Sequence, residues 1–337
     1  MILTAPEQLS RARELVEPAI RSSVGRLAPE VHRVAAYHLG FADQNGNPAE
    51  TGAGKALRPA LAFLSAEAAR APAETAVPGA VAVELVHNFS LLHDDVMDQD
   101  GERRHRPTAW ALFGVGNAII AGDALLTLAH QVLVEDPTPR RVRADHELSA
   151  ATARMIAGQG QDLAFESRLD VSVAECLDMM ANKTGALLSC ASAIGAVLAG
   201  ADDGLVSALR SFGLHLGLAF QAVDDVLGIW GRPAVTGKPV ANDLRQHKKT
   251  LPIVTALTSG HPAGARLATL LSNGHLDDPQ MLAAVGLIEQ AGGKVRAIEL
   301  ADRETVLALE ALDATDVDGA ARGALQEVVR FVTSRDH

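Results

Sequence analysis

Between short clusters of Pro and Gly, the 337-residue chain repeats apolar residues at threes and fours. It nowhere sustains the every-other-residue alternation that a half-buried strand requires. Leu9, Ala12, Leu15, Val16 and Ile20 open the pattern, with Arg and Glu between them. The breaks fall at 43–54, 71–79, 135–141, 231–239 and 259–264. Each is loop-sized, and none is long or biased enough to be a linker. Ala and Leu abound, while Trp, Tyr and Phe together number eleven, which favours helix over sheet. The pattern predicts one all-α domain over 1–337, a bundle of ten or more helices.

Charge and cysteine usage exclude several functions. With 30 Lys and Arg against 41 Asp and Glu, the net charge is −11, unlike a nucleic-acid binder that draws affinity from a basic surface. Cys176 and Cys190 have no metal-ligand spacing and are too few for a disulfide framework. Glu7, Arg11 and Arg13 precede any long apolar run, so the start does not read as a secretory signal. A cytoplasmic protein is expected. The stretch 185–201 is uncharged but shorter than the roughly 20 strongly apolar residues of a membrane span. Its Ala, Gly and Ser content suits a buried core helix, and no membrane span is expected.

Against this background "LLHDDVMDQDGERRHRPT", residues 91–108, stands out. Pro78 and Gly79 precede a run that reads as one helix from about residue 80 to the turn at Gly101. Asp94 and Asp98 are then one turn apart on one face, where like charges repel unless a cation lies between them. Acids at a helix C-terminus also oppose its dipole. A lone pair of this kind would be a solvated acidic helix end. Here Arg103, Arg104 and Arg106 follow at once, and guanidinium groups bind phosphate bidentately. Carboxylates with phosphate oxygens are the usual ligands of Mg²⁺, so the cluster suggests a bound diphosphate. The order repeats downstream: Asp224 and Asp225 in "FQAVDDVLGIWG" precede Lys238, Lys248 and Lys249.

With these residues in view, the chain resembles the trans-isoprenyl diphosphate synthase (polyprenyl synthetase) family from about residue 10 to the end, and within it bacterial geranylgeranyl diphosphate synthases. The first aspartate motif is matched by "DDVMD" (94–98), followed by Arg103 and Arg104. "AGKALRP" (53–59) retains Lys55 and Arg58; His87, Lys183 and Thr184, and the Phe220, Gln221, Asp224, Asp225 signature follow in the family's order. Three positions depart from the pattern: Ala53 for a glycine, Ala56 for an arginine, and Gly228 where the second motif usually has a third aspartate.

The resemblance implies an isoprenoid-synthase helical bundle around a central cavity, usually homodimeric. It implies an allylic diphosphate held by three Mg²⁺ ions on Asp94, Asp98 and Asp224, with Asp95 and Asp225 orienting that set. Arg103, Lys183 and Lys238 would contact the same diphosphate, and Thr184 and Gln221 would steady the allylic cation. Isopentenyl diphosphate would lie on Lys55, Arg58, His87 and Arg104, with Lys248, or its neighbour Lys249, closing over the diphosphates. Loss of diphosphate, attack by the alkene and loss of a proton complete a head-to-tail condensation.

Product length follows the helix that carries the first motif, since one turn of about 5.4 Å roughly matches one isoprene unit. Phe89 lies five residues before Asp94 and Ser90 four before. An aromatic at the first position, a small residue at the second and no insertion in the motif resemble the geranylgeranyl (C20) pattern, with farnesyl (C15) or longer products as the alternative. A terpene cyclase of related fold and a non-catalytic synthase subunit are the other readings. The isopentenyl-site residues and the intact first motif argue against both.

Overall fold

The computed structural model describes residues 3–49, 54–231, 241–272, 274 and 276–333. Among them are sixteen α-helices, joined mostly by short loops. They are α1 (Ala5–Val24), α2 (Pro29–His38), α3 (Leu57–Ala68), α4 (Val77–Met97), α5 (Ala109–Phe113), α6 (Val115–Val134), α7 (Pro139–Glu166), α8 (Val173–Met180), α9 (Ala186–Ala199), α10 (Asp203–Trp230), α11 (Asn242–Arg245), α12 (Leu251–Thr258), α13 (Pro262–Leu271), α14 (Asp278–Gln290), α15 (Gly293–Asp313) and α16 (Gly319–Thr333). The named strands are two-residue pieces, Glu102–Arg103 and Arg106–Pro107, paired antiparallel. The all-α expectation holds.

Contacts gather the chain into two compact units. One comprises Met1–Thr152, Ser189–Arg210 and Leu312–Val328; the other comprises Ala153–Leu188, Ser211–Ala311 and Val329–His337. Every boundary falls inside a helix, namely α7, α9, α10, α15 or α16. No linker marks the division, which is why the sequence reads as one domain.

In the first unit α4 packs along α6 and α3. Leu85, Val86 and Leu92 of α4 are fully buried, which fixes the helix around its axis and so fixes where its aspartates point. The helix is displaced from the sequence estimate at both ends. It starts at Val77, with Pro78 in its first turn, and closes at Met97 with Asp98 as the capping residue. Gln99 then takes a left-handed φ of 55°, which ends the helix before Gly101. In the second unit Phe165, Met180, Val223, Leu251 and Leu300 form one apolar cluster. Ile229, Leu244, Ile253, Leu267 and Ile288 form another.

Most of the uncharged stretch 185–201 forms α9, which is buried throughout from Ala186 to Leu198. By length and composition alone, the helical stretches Ala73–Met97, Val115–Val134 and Asp203–Trp230 could cross a bilayer. Two of them carry the aspartate motifs.

Gly195 of α9 shows how tight this packing is. Its N–H donates to Ser65 Oγ at 3.0 Å, and that hydroxyl donates to the Ala62 carbonyl at 2.8 Å. A Cβ at 195 would meet the Ala62 carbonyl and lie 2.8 Å from the Ala66 nitrogen, so backbone rather than a flexible side chain would have to move. Gly195→Ala is expected to lower stability by about 1–3 kcal/mol, read from the urea midpoint; an unchanged midpoint would show that α3 and α9 can separate at little cost.

Candidate active site

In the first unit, Asp94 and Asp98 project from one face at the end of α4, both partly exposed. Asp95 lies between them in sequence and is 1% exposed. Its Oδ1 accepts Arg103 Nε at 2.7 Å and Nη2 at 2.6 Å. Burial works against the charge of Arg103, but the contact with Asp95 outweighs it and raises the guanidinium above its ordinary value. The middle acid thus fixes the arginine segment, while the flanking pair remains at the helix surface.

That segment is a hairpin in the register Glu102↔Pro107 and Arg103↔Arg106. Its tip, Arg104 and His105, has φ of 53° and 60°, the left-handed pair demanded by a two-residue turn. Non-glycine residues hold this conformation at a cost of about 1 kcal/mol each. Arg104 then lies over Gly54, where an added Cβ would be 3.0 Å from Nη2. Arg13 donates to the carbonyl of the same Gly54 at 2.7 Å.

Lys55 is exposed beside Gly54, and Arg58 lies in the first turn of α3. Between them Ala56 is buried, with a left-handed φ of 53°. His87 sits among Arg58, Arg104 and Arg103; burial first, and then these charges, hold its imidazole well below the ordinary value. The structure therefore brings Arg58, His87, Arg103 and Arg104 together, around an imidazole that stays neutral. Phe89 packs edge-on against His93, ring centres 4.8 Å apart at 70°. Ser90 turns its hydroxyl back to the His87 carbonyl at 2.8 Å.

In the second unit, Lys183 and Thr184 lie in a π-helical turn, Ala181–Gly185, a local widening that often marks functional positions. The turn rests on Gly158, where a Cβ would be 2.7 Å from Lys183 Cα. Lys183 Nζ lies 2.5 Å from Asp162 Oδ2. Lys248 Nζ lies 3.4 Å from the same oxygen and 2.9 Å from Glu166 Oε1. Burial pushes the Asp162 carboxyl up, yet Lys183 and Lys248 together hold it below the usual range.

Thr184 Oγ1 donates to Gln221 Oε1 at 2.6 Å, and Gln221 Nε2 donates to Asp225 Oδ1 at 2.8 Å. Leu251 N–H donates to Asp225 Oδ2 at 2.9 Å. Burial still raises the Asp225 carboxyl to about 8 against these donors, with Asp243 and Asp224 adding to the rise. Asp224, one residue earlier on α10, is only partly buried.

Lys249 is turned to the Glu166 and His247 carbonyls, at 3.0 and 2.9 Å. Of the two neighbouring lysines it is Lys248 that meets carboxylates. Lys238 and Ala53 lie outside the described residues. Sequence reasoning missed Asp162, Glu166 and His38. The only hint of Asp162 was its place after the glycines of "AGQGQDL" (157–163).

A family model for polyprenyl synthetases matches residues 47–288. The chain belongs to the polyprenyl synthetase family. The (2E,6E)-farnesyl diphosphate synthase of Mycobacterium tuberculosis is 46% identical over 331 residues, covering 97% of this chain and 92% of that protein. The geranylgeranyl diphosphate synthase of the same organism is 42% identical over 307 residues, covering 90% and 87%. The crystal structure of a polyprenyl synthetase from Streptomyces coelicolor A3(2) superposes with a TM-score of 0.92 at 51% identity, covering 97% of this chain and 98% of that one. The protein is a prenyltransferase of the trans-prenyl diphosphate synthase type. Such synthases use isopentenyl diphosphate and an allylic diphosphate and are Mg²⁺-dependent.

Two measurements check the roles of the buried groups. Asp162→Asn removes the carboxylate shared by Lys183 and Lys248 and is expected to lower kcat by about 10- to 100-fold with the fold retained; unchanged kinetics would make the pairing structural. His38 is held down to about 3, by burial first and then by Arg103 and Arg104. The unfolded chain therefore takes up this proton first as pH falls. The associated stability is full above about pH 6.5 and is lost toward pH 3, at up to about 1.4 kcal/mol per pH unit. His38→Gln should flatten the urea midpoint between pH 6.5 and 4.5, and an unaltered slope would show that His38 titrates normally.

Proposed function

We propose that the protein condenses isopentenyl diphosphate head to tail with an allylic diphosphate to give geranylgeranyl diphosphate. The observation that carries the reading is the acid pair Asp94 and Asp98, with Arg103 fixed beside it by the buried Asp95. Two partly exposed carboxylates one turn apart fit a hard cation that keeps oxygen ligands from a bound diphosphate. Asp94, Asp98 and Asp224 would hold Mg²⁺, three ions in all. When bound, the metal supplies the charge neutralisation that the departing diphosphate needs.

The chain's own groups do the rest. Lys183, held by Asp162, presents a fixed ammonium to the leaving diphosphate. Thr184 and Gln221 form a hydrogen-bonded chain ending on Asp225, polar enough to face a carbocation yet tied up by those bonds. Arg58, Arg104 and Lys55 receive isopentenyl diphosphate beside the neutral His87. Lys238 joins the allylic diphosphate, and Lys248 helps close the site.

Ser90, a small residue, is one turn before Asp94 on the same face, and beside it the large Phe89 ring packs edge-on against His93. That arrangement supports C20. C15 is the second reading, favoured by the 46% identical relative named a farnesyl diphosphate synthase. We place the enzyme in the cytoplasm as a homodimer, with exposed Val115, Ile119 and Ile120 of α6 as the covered face.

The test is incubation with isopentenyl diphosphate and each allylic starter, with products identified by mass. Asp94→Asn should cut turnover roughly 100- to 1,000-fold, and undiminished turnover would sink the assignment. Phe89→Ala should shift the product beyond C20; an unchanged distribution places the floor elsewhere.

A further inference from the structure

The second aspartate motif lacks an acid at position 228. On α10, Asp224 and residue 228 are one turn apart on the same face, as Asp94 and Asp98 are on α4. Residue 228 is glycine, and the space its side chain would enter is filled. An ideal Cβ there would lie 2.5 Å from Asp243 Cγ and 2.8 Å from Oδ1, with Oδ2 closer still.

Asp243 is held in that place by its surroundings. Ala241, two residues before it, is 1% exposed with a φ of 57°. Leu244, the next residue, is 3% exposed in the cluster with Ile229 and Ile253. Lys248 N–H donates to the Asp243 carbonyl at 2.9 Å. The backbone around Asp243 is therefore anchored on both sides while its carboxylate reaches α10.

We infer that Asp243 supplies the second carboxylate of the Asp224 set, with Gly228 as the opening that admits it. The inference rests on the reading of Asp224 as a metal-holding residue. Gly228 is then not a loss from the motif: the acid has moved from α10 to α11, and any side chain at 228 would push it away.

The experiment measures Mg²⁺ affinity by titration calorimetry with inorganic pyrophosphate present, for the wild type, Asp243→Asn, Gly228→Ala, Asp224→Asn and the double variant Gly228→Asp with Asp243→Ser. Circular dichroism and Tm check each fold. Asp243→Asn and Gly228→Ala should each weaken Mg²⁺ binding about tenfold, and the double variant should recover to near the wild-type value. Should Asp243→Asn fail to fold, Gly228→Ala and the double variant decide the question. Wild-type affinity in Asp243→Asn or, if that variant does not fold, in Gly228→Ala overturns the inference. If the wild type itself shows no Mg²⁺-dependent pyrophosphate binding, or if Asp224→Asn has no effect, the reading of the site falls instead.

Discussion

The arrangement depends on buried carboxylates that hold cations in place. Asp95 is nearly sealed from water and grips Arg103 by two nitrogens; Asp162 is 5% exposed and faces both Lys183 and Lys248. Burying a lone carboxylate costs several kcal/mol, and removing one member of such a pair is worse than replacing both. These acids therefore commit the chain to keeping its bases at fixed points. The partly exposed acids Asp94 and Asp224 each stand one residue before a buried acid, Asp95 or Asp225, and Asp98 lies one turn beyond Asp94. In each motif one carboxylate is buried and tied by hydrogen bonds, and its neighbour is left partly exposed.

Backbone geometry serves the same end. Gly158 and Gly228 admit the Lys183 backbone and the Asp243 carboxylate into space that a Cβ would need, and at Gly54 the Arg104 guanidinium comes within 3.0 Å of where a Cβ would lie. Left-handed residues at Arg104, His105 and Ala241 carry strain that the surrounding packing must offset. The cost is concentrated where charged groups are aimed.

Helical class, the one-turn spacing of Asp94 and Asp98 and the order of motifs were legible because each depends on local periodicity or on residues close in sequence. Asp162 was not, since a single aspartate on an amphipathic helix reads as solvated until its partners 21 and 86 residues away are seen. Gly228 read as a missing acid because its replacement comes from another helix. The neighbouring Lys248 and Lys249 could not be told apart by sequence, and packing gave one to carboxylates and the other to carbonyls. The two units were invisible because their boundaries interrupt no helix.

The most direct test of this account is calorimetric titration of the purified protein with inorganic pyrophosphate, with and without Mg²⁺. If the bases are held by buried acids beside exposed ones, pyrophosphate should bind tightly only when Mg²⁺ is present. Equal affinity without the metal would mean that the arginines and lysines hold a diphosphate by themselves, and would contradict the central role given to the carboxylates.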